Sequence, residues 1–358
     1  MSESSGHRPI KCNHKRLFPN RAKQYKANLN CHTNISDGEY SPEEIKELYK
    51  SQGYSVVAFS DREVMIPHGE LKDDEFIPLT ACEYEIAEEG GKSVHVNLIA
   101  LDEDNCTQPL WHREKYVYPH SEPSRKLVKF DENEPDYERR FSPEGISDMM
   151  QKCRDKGFFV TLNHPKLSGL NYNDYTAYKG MDAFEIMNYS SILSGYDEHN
   201  GEMYSEILKL GNRPYCVAGD ENKNAHPFGS RLSDSCGAYT VILAHSLDYK
   251  SIANALKNGH FYTSEGPEIY DVWYRSDVLY VRCSPCDKII FETAKGRIVK
   301  YAEDGIDLWG EGICCYVQPE HKYIRITVVD KYGRKAYTNA FDAADMFNSY
   351  EKRWTYEK

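Results

Sequence analysis

Nine residues able to hold a cation or an anion fall at the ends of short apolar runs: Asn30, His32, Asp37, Arg62, Glu83, His95, His164, Asp220 and Lys223. Five of them, His32, Glu83, His95, His164 and Asp220, are histidine or carboxylate, the mix that suits divalent zinc, manganese or iron. A carboxylate placed like Glu83 can bridge two ions, and two ions about 3.5–4 Å apart clamp a phosphoryl group while generating a hydroxide nucleophile. Any one of these histidines alone reads more simply as a satisfied, partly buried side chain. The joint occurrence is harder to dismiss.

The elements that position them follow a repeat. Ser41-Pro42-Glu43-Glu44 supplies an N-cap, a proline in the first turn and a glutamate three residues after the cap, which opens a helix. Ile45, Leu48 and Tyr49 continue its apolar face, and Gly53 closes it before the buried strand Tyr54 to Phe59 and the polar tip Ser60-Asp61-Arg62. The unit recurs from Ser142-Pro143-Glu144 through Gly157 to the strand 158–162 and Asn163-His164. Five more apolar runs end near Asn30, Glu83, His95, Glu185 with Asn188, and Asp220. Seven strands alternating with helices, with polar groups gathered at strand C-termini, predict an α/β fold: a parallel sheet closed as a barrel with its site at that rim.

After about residue 265 the texture changes to short strands between Gly, Asp and Pro turns, which predicts an all-β appendage. The expected division is a flexible basic arm at 1–21, a barrel at 22–267, a β domain at 268–345 and a tail at 346–358. Residues 103–141 are polar and aperiodic, and read as a long insertion over the barrel mouth.

With 44 Lys plus Arg against 56 Asp plus Glu, the chain of 358 residues carries a formal charge of -12. That argues against holding nucleic acid by phosphate neutralisation, and leaves a small phosphorylated substrate or anion as the expected partner. No apolar run is long enough to cross a bilayer, and no apolar segment follows the basic arm as in a secretory signal, so a cytoplasmic location without membrane attachment is expected. Eleven scattered cysteines fit reduced thiols better than a disulfide framework. Cys12-Asn13-His14 has no partner pair at zinc-finger spacing.

Several segments together resemble the polymerase and histidinol phosphatase (PHP) superfamily of metal-dependent phosphoesterases. Residues 27–38, Ala-Asn-Leu-Asn-Cys-His-Thr-Asn-Ile-Ser-Asp-Gly, are similar to its first motif, and Ser60-Asp61-Arg62 to the end of its second. Ala81-Cys82-Glu83, the strand from His95, Asn163-His164-Pro165 and residues 218–224 resemble the later motifs, while 252–267 resembles the subgroup with a C-terminal β domain. The resemblance implies a distorted barrel of seven β/α units holding up to three metals. His32, Glu83 and Asp220 would hold the first metal, Glu83, His95 and His164 the second, and Asp37 would belong to the third.

Where the family has histidine, this chain has Asn30, Arg62 and Lys223. Protonated guanidinium and ammonium groups cannot ligate a metal, so the third ion is not expected. Two readings follow. In the leading one, a phosphoesterase runs on one or two ions, with Arg62 and Lys223 gripping the phosphate and, with Asp37, forming the catalytic set. In the other, Arg62 and Lys223 pair with neighbouring acids, and the fold binds a ligand or partner without turnover. His226, His245, His260 and His120 read as ordinary loop histidines, while Glu185 and Asn188 could orient substrate.

Overall fold

The computed structural model describes residues 14–88, 91–302 and 313–347. Its first part runs β1 (His14–Arg16), β2 (Lys23–Cys31), α1 (Pro42–Ser51), β3 (Tyr54–Phe59), β4 (Ile77–Ala87), β5 (Ser93–Ala100), α2 (Pro143–Asp155) and β6 (Phe158–Leu162). It continues through α3 (Tyr172–Ala177), β7 (Ala183–Asn188), α4 (Tyr189–Leu193), α5 (Gly201–Lys209), β8 (Tyr215–Gly219), β9 (Tyr239–Ala244), α6 (Tyr249–Lys257) and β10 (Phe261–Ser264). There follow β11 (Ile269–Arg275), β12 (Val278–Cys283), β13 (Lys288–Thr293), β14 (Gly296–Tyr301), β15 (Ile313–Tyr316), β16 (Tyr323–Val329), β17 (Lys335–Thr338), β18 (Phe341–Asp342) and α7 (Ala343–Phe347).

The helix signals act as expected. Ser41 and Glu44 form a complete capping box at α1, whose Ile45 and Tyr49 are buried, and Ser142 caps α2 through the Gly145 N–H. All five residues of β6 are buried, as a strand covered on both faces must be.

The fold is mixed α/β with one large and one small sheet. The large sheet runs β14-β13-β16-β17-β10-β9-β2-β3-β4-β5-β6-β7-β8, with β18 beside β16. β2/β3, β3/β4, β6/β7 and β7/β8 are parallel pairs. The wholly parallel sheet expected from the sequence is corrected at β5, which is antiparallel to β4 and β6. Only five residues separate Ala87 from Ser93, whereas a parallel crossover needs about a dozen. Reversal places His95, near the start of β5, opposite Glu85 on the rim where the parallel strands end. Past those ends, the His32 N–H donates to the Asn222 carbonyl (3.2 Å) and the Glu221 N–H to the Asn30 carbonyl (2.9 Å).

The C-terminal strands do not stand apart. β17 pairs with β10, so β13, β14, β16 and β17 prolong the large sheet, and Val241, Leu243 and Tyr262 share a core with Ile289, Phe291 and Ile326. β1, β11, β12 and β15 form a separate four-stranded antiparallel sheet. Part of the expected flexible arm is therefore strand, since His14–Arg16 pairs with Trp273–Arg275. Residues 1–13, with Cys12 and Asn13, and the tail from 348 onward lie outside the described residues. Among the described residues no helix is long and apolar enough to cross a membrane.

The insertion is tied to the rim by buried polar contacts. Gln108 receives the Met65 N–H and donates to the Glu63 carbonyl, and Ser121 Oγ donates to the Arg62 carbonyl at 2.6 Å. Arg139 forms a two-pronged pair with Glu63, 2.6 Å on each side, and stacks between Tyr84 and Tyr116.

Candidate functional site

Six of the groups carried by the strands and the loops that follow them meet at a common centre. His32 follows β2, Arg62 lies beyond β3, Glu83 sits within β4, His95 within β5, His164 follows β6 and Glu221 follows β8. Two overlapping sets can hold a metal: Glu83 with His95 and His164, and His32 with Glu83 and Glu221; within each set the ligand atoms lie within 4.8 Å of one another. All of these residues are buried, and Glu83 belongs to both sets.

Glu83 is the hub. Its Oε1 accepts from Asn163 Nδ2 (2.8 Å) and lies 3.5 Å from His164 Nε2, while Oε2 is 3.7 Å from His32 Nε2 and 3.4 Å from His95 Nδ1. Arg62 is lodged against the same group, Nη1 2.6 Å from Glu83 Oε2, Nε 3.0 Å from Asp37 and Nη2 3.1 Å from Glu221. Burial alone would raise the Glu83 carboxyl, but Arg62 and then His95 and His164 hold it well below the usual range. Burial and the competing acids act on Arg62 likewise, and the acids win, so the guanidinium stays charged.

The histidines differ. Ser168 Oγ at 3.2 Å from Nδ1 leaves the Nε2 of His164 aimed at Glu83 and Glu221, and the His164 N–H donates to Glu185. Burial pulls His95 down, and the pull of Glu83 and Glu85 outweighs it, raising the ring to about 9. Arg62 Nη1, however, stands 3.0 Å from His95 Nδ1 as a donor, so the tautomer with its proton on Nε2, toward Glu85, fits this geometry. Burial keeps His32 neutral, with both ring nitrogens unpartnered.

Those unpartnered atoms test whether the site fits an ion. Among the described residues, His32 Nδ1 and Nε2, Glu83 Oε2 and His164 Nε2 are buried without a hydrogen bond, although Glu83 Oε2 has its close ion contact with Arg62. A buried polar atom left unmet costs about 1–3 kcal/mol, and His32 Nε2 and His164 Nε2, which face the Glu83 carboxylate at 3.7 and 3.5 Å, are placed as ligands of a shared ion would be. With His95 in the neutral tautomer that the Arg62 contact requires, charge agrees: Asp37, Glu83 and Glu221 face Arg62 and Lys223, so three carboxylates meet two cations. Burial raises nearby Glu185 to about 8, so it adds no charge at neutral pH.

Asp220, expected as a ligand, is not in either set. Its Oδ2 accepts from the Tyr49 hydroxyl (2.8 Å) and the Cys236 N–H, and its Oδ1 from the Gly237 and Ala238 N–H groups. With four donors on two oxygens, it organises the loop before β9 and has no lone pair for an ion. Tyr49→Phe removes one donor and leaves Asn28 Nδ2 without this acceptor; denaturant unfolding is expected to show a loss of about 1–3 kcal/mol. Glu221, which the sequence reading passed over as a ligand, takes the place. Its left-handed backbone (φ 50°) breaks the alternation of β8 and turns the carboxylate inward. Two adjacent acids were the only sequence signal.

Asn30 also stays out of both sets: its Oδ1 accepts from Ser60 Oγ, and its Nδ2 is buried without a partner. Asp37 lies 3.5 Å from His32 Nδ1 and accepts from Arg62 and the Tyr118 hydroxyl. Lys223 Nζ is 3.3 Å from Glu221 Oε1, partly open to solvent. Asp61, read from the sequence only as part of the polar tip after β3, takes the Thr33 N–H and the Thr33 and Ser36 hydroxyls, fixing the loop that carries Asp37. A cleft of about 300 Å³ opens beside the site between Glu85, Ile86, Tyr116, Tyr118 and Phe141.

No protein-family model matches the chain, and no curated protein matches it. Among solved structures it is similar to a two-domain protein containing a predicted PHP-like metal-dependent phosphoesterase from Bacteroides vulgatus, at 12% identity over 91% of this chain and 98% of that one, TM-score 0.42. A candidate metal-dependent phosphoesterase from Bifidobacterium adolescentis matches at 15% identity over 61% and 94%, TM-score 0.38. An amidohydrolase from Chromobacterium violaceum, with bound sulfate and no metal, matches at 14% over 54% and 86%, TM-score 0.36. These neighbours include predicted PHP-like phosphoesterases, at low identity.

Proposed function

We propose that the chain is a metal-dependent phosphoesterase acting on a small phosphate ester, with Glu83 as the shared ligand of its metal centre. The observation that carries this reading is the gathering of His32, His95, His164 and Glu221 around the buried Glu83 carboxylate, with His32 Nε2 and His164 Nε2 left without a hydrogen bond. Glu83, His95 and His164 would hold one divalent ion, zinc, manganese or iron, and His32, Glu83 and Glu221 a second. Charge balance favours one, because a single dication turns a buried excess of one negative charge into one positive, suited to an incoming phosphate. Such an ion supplies Lewis-acid polarisation of a phosphoryl oxygen and a water that loses its proton near neutral pH.

The chain's own residues do the rest. Asn163 and Ser168 fix Glu83 and His164. Arg62 releases Glu83, stays anchored on Asp37, and with Lys223 grips phosphate oxygens in the place of a third ion. The cleft beside Tyr116 and Tyr118 receives the alcohol side of the ester. The same reading takes the bonds between residues 30–32 and 221–222 as the closing seam of the distorted barrel, with 268–345 as its β domain.

Elemental analysis of the purified protein, with phosphate release from a panel of esters, tests this. About one equivalent of metal and turnover abolished by chelation are expected; metal-free protein inactive with zinc, manganese and iron alike would sink it. The lodging of Arg62 among the ligands favours a second reading, a binding module without turnover. That reading expects the combined Asn30→His, Arg62→His and Lys223→His variant to gain an activity the parent lacks.

A further inference from the structure

The chain leaves β12 at Cys283 and enters β13 at Lys288, passing from the small sheet to the large one through Ser284-Pro285-Cys286-Asp287. Both flanks of this crossing are pinned. Ser284 exchanges bonds with Glu268, its N–H to the Glu268 carbonyl (2.8 Å) and its Oγ receiving the Glu268 N–H (2.9 Å). The Asp287 N–H donates to the Val329 carbonyl at 2.8 Å. Held this way, the two thiols at Cys-x-x-Cys spacing face each other with their sulfurs 3.9 Å apart.

Their surroundings differ. Cys283 is 4% exposed and packs in the core shared by the two sheets. Cys286 is part-exposed and lines a cleft of about 480 Å³ with Glu268, Ser284, Asp330, Lys331 and Tyr332. The Cys283 thiol donates toward Cys286, which lowers the Cys286 thiol and raises Cys283. One sulfur is accessible and disposed to ionise; the other stands behind it as a proton-bearing partner.

We propose that Cys283 and Cys286 form a reversible dithiol–disulfide modification site that reacts with low-molecular-weight disulfides by thiol exchange. The Cys286 thiolate attacks one sulfur of the disulfide, and the first thiolate leaves and takes up a proton. Cys283 then gives up its proton and attacks the Cys286 sulfur of the mixed disulfide, expelling the second thiolate. Two protein thiols are oxidised to one disulfide, and one small disulfide is reduced to two thiols. The bond ties the end of β12 to the entrance of β13, where the sheets meet. The site is separate from the Glu83 centre, and the proposal does not depend on the hydrolase reading.

The full chain, equilibrated with reduced and oxidised glutathione at a series of ratios and then alkylated, tests this directly. Tryptic cleavage after Arg282 and Lys288 places both cysteines on one peptide. That peptide is expected to lose two hydrogens and escape alkylation, about tenfold faster than Cys106 reacts. In Cys283→Ser the reaction is expected to stop at the glutathione mixed disulfide on Cys286. Two alkylated cysteines at every ratio, or a mixed disulfide that persists in the unaltered chain, would overturn the proposal.

Discussion

Arg62→Met is expected to cost the ion-free protein about 3–5 kcal/mol of unfolding free energy, and an added divalent ion to restore most of it. Arg62 is the cation that Asp37, Glu83 and Glu221 share, and truncating one side of a buried ion network leaves the other side uncompensated. A dication bound to the same carboxylates replaces the lost charge and stabilises the native state by mass action. Denaturant unfolding of the chelated variant, with and without zinc or manganese, measures both effects. A variant as stable as the parent in chelator would show that Arg62 neutralises nothing, and a destabilised variant indifferent to ions would show that the acids do not form a metal site. On the proposed reading the arginine is an internal substitute for the ion and its competitor, and the parent's metal affinity is expected to be lower than its ligand count suggests.

Glu83→Gln is expected to abolish metal retention and lower phosphoester turnover by about three orders of magnitude or more. The substitution preserves shape but removes the charge of the one residue common to both sets, so no ion keeps its ligands. A bound dication is worth several kcal/mol of transition-state stabilisation, and about 1.4 kcal/mol is a factor of ten in rate. Elemental analysis with single-turnover kinetics separates the losses. Retained metal would place the ion elsewhere, whereas lost metal with unchanged turnover would detach the chemistry from the ion.

Much of this arrangement was legible because its causes are local. The capping box at Ser41, the largely apolar, fully buried β6 and the occurrence of His32, Glu83, His95 and His164 in or just after apolar runs all follow from short windows of sequence. The choice of Glu221 over Asp220 was not legible, since it depends on one left-handed residue and on three N–H groups from residues 236–238. The antiparallel β5 was hidden for a different reason: alternation of buried runs says nothing of strand direction, and only the shortness of the connection after Ala87 does. The shared sheet through β10 and β17 rests on pairing between distant segments that no local pattern encodes.

The hairpin of β4 and β5 also sets an order of assembly. Glu83 and His95 lie on paired strands joined by a few residues, a closure among the fastest steps open to a chain, whereas Glu221 must wait for a strand well over a hundred residues further on. Two of the candidate metal ligands are therefore expected to be neighbours while most of the polypeptide is still unformed. An ion captured there would act as a nucleation point, drawing in His164 and then Glu221, so that supplying metal during refolding should accelerate folding as well as occupy the finished site.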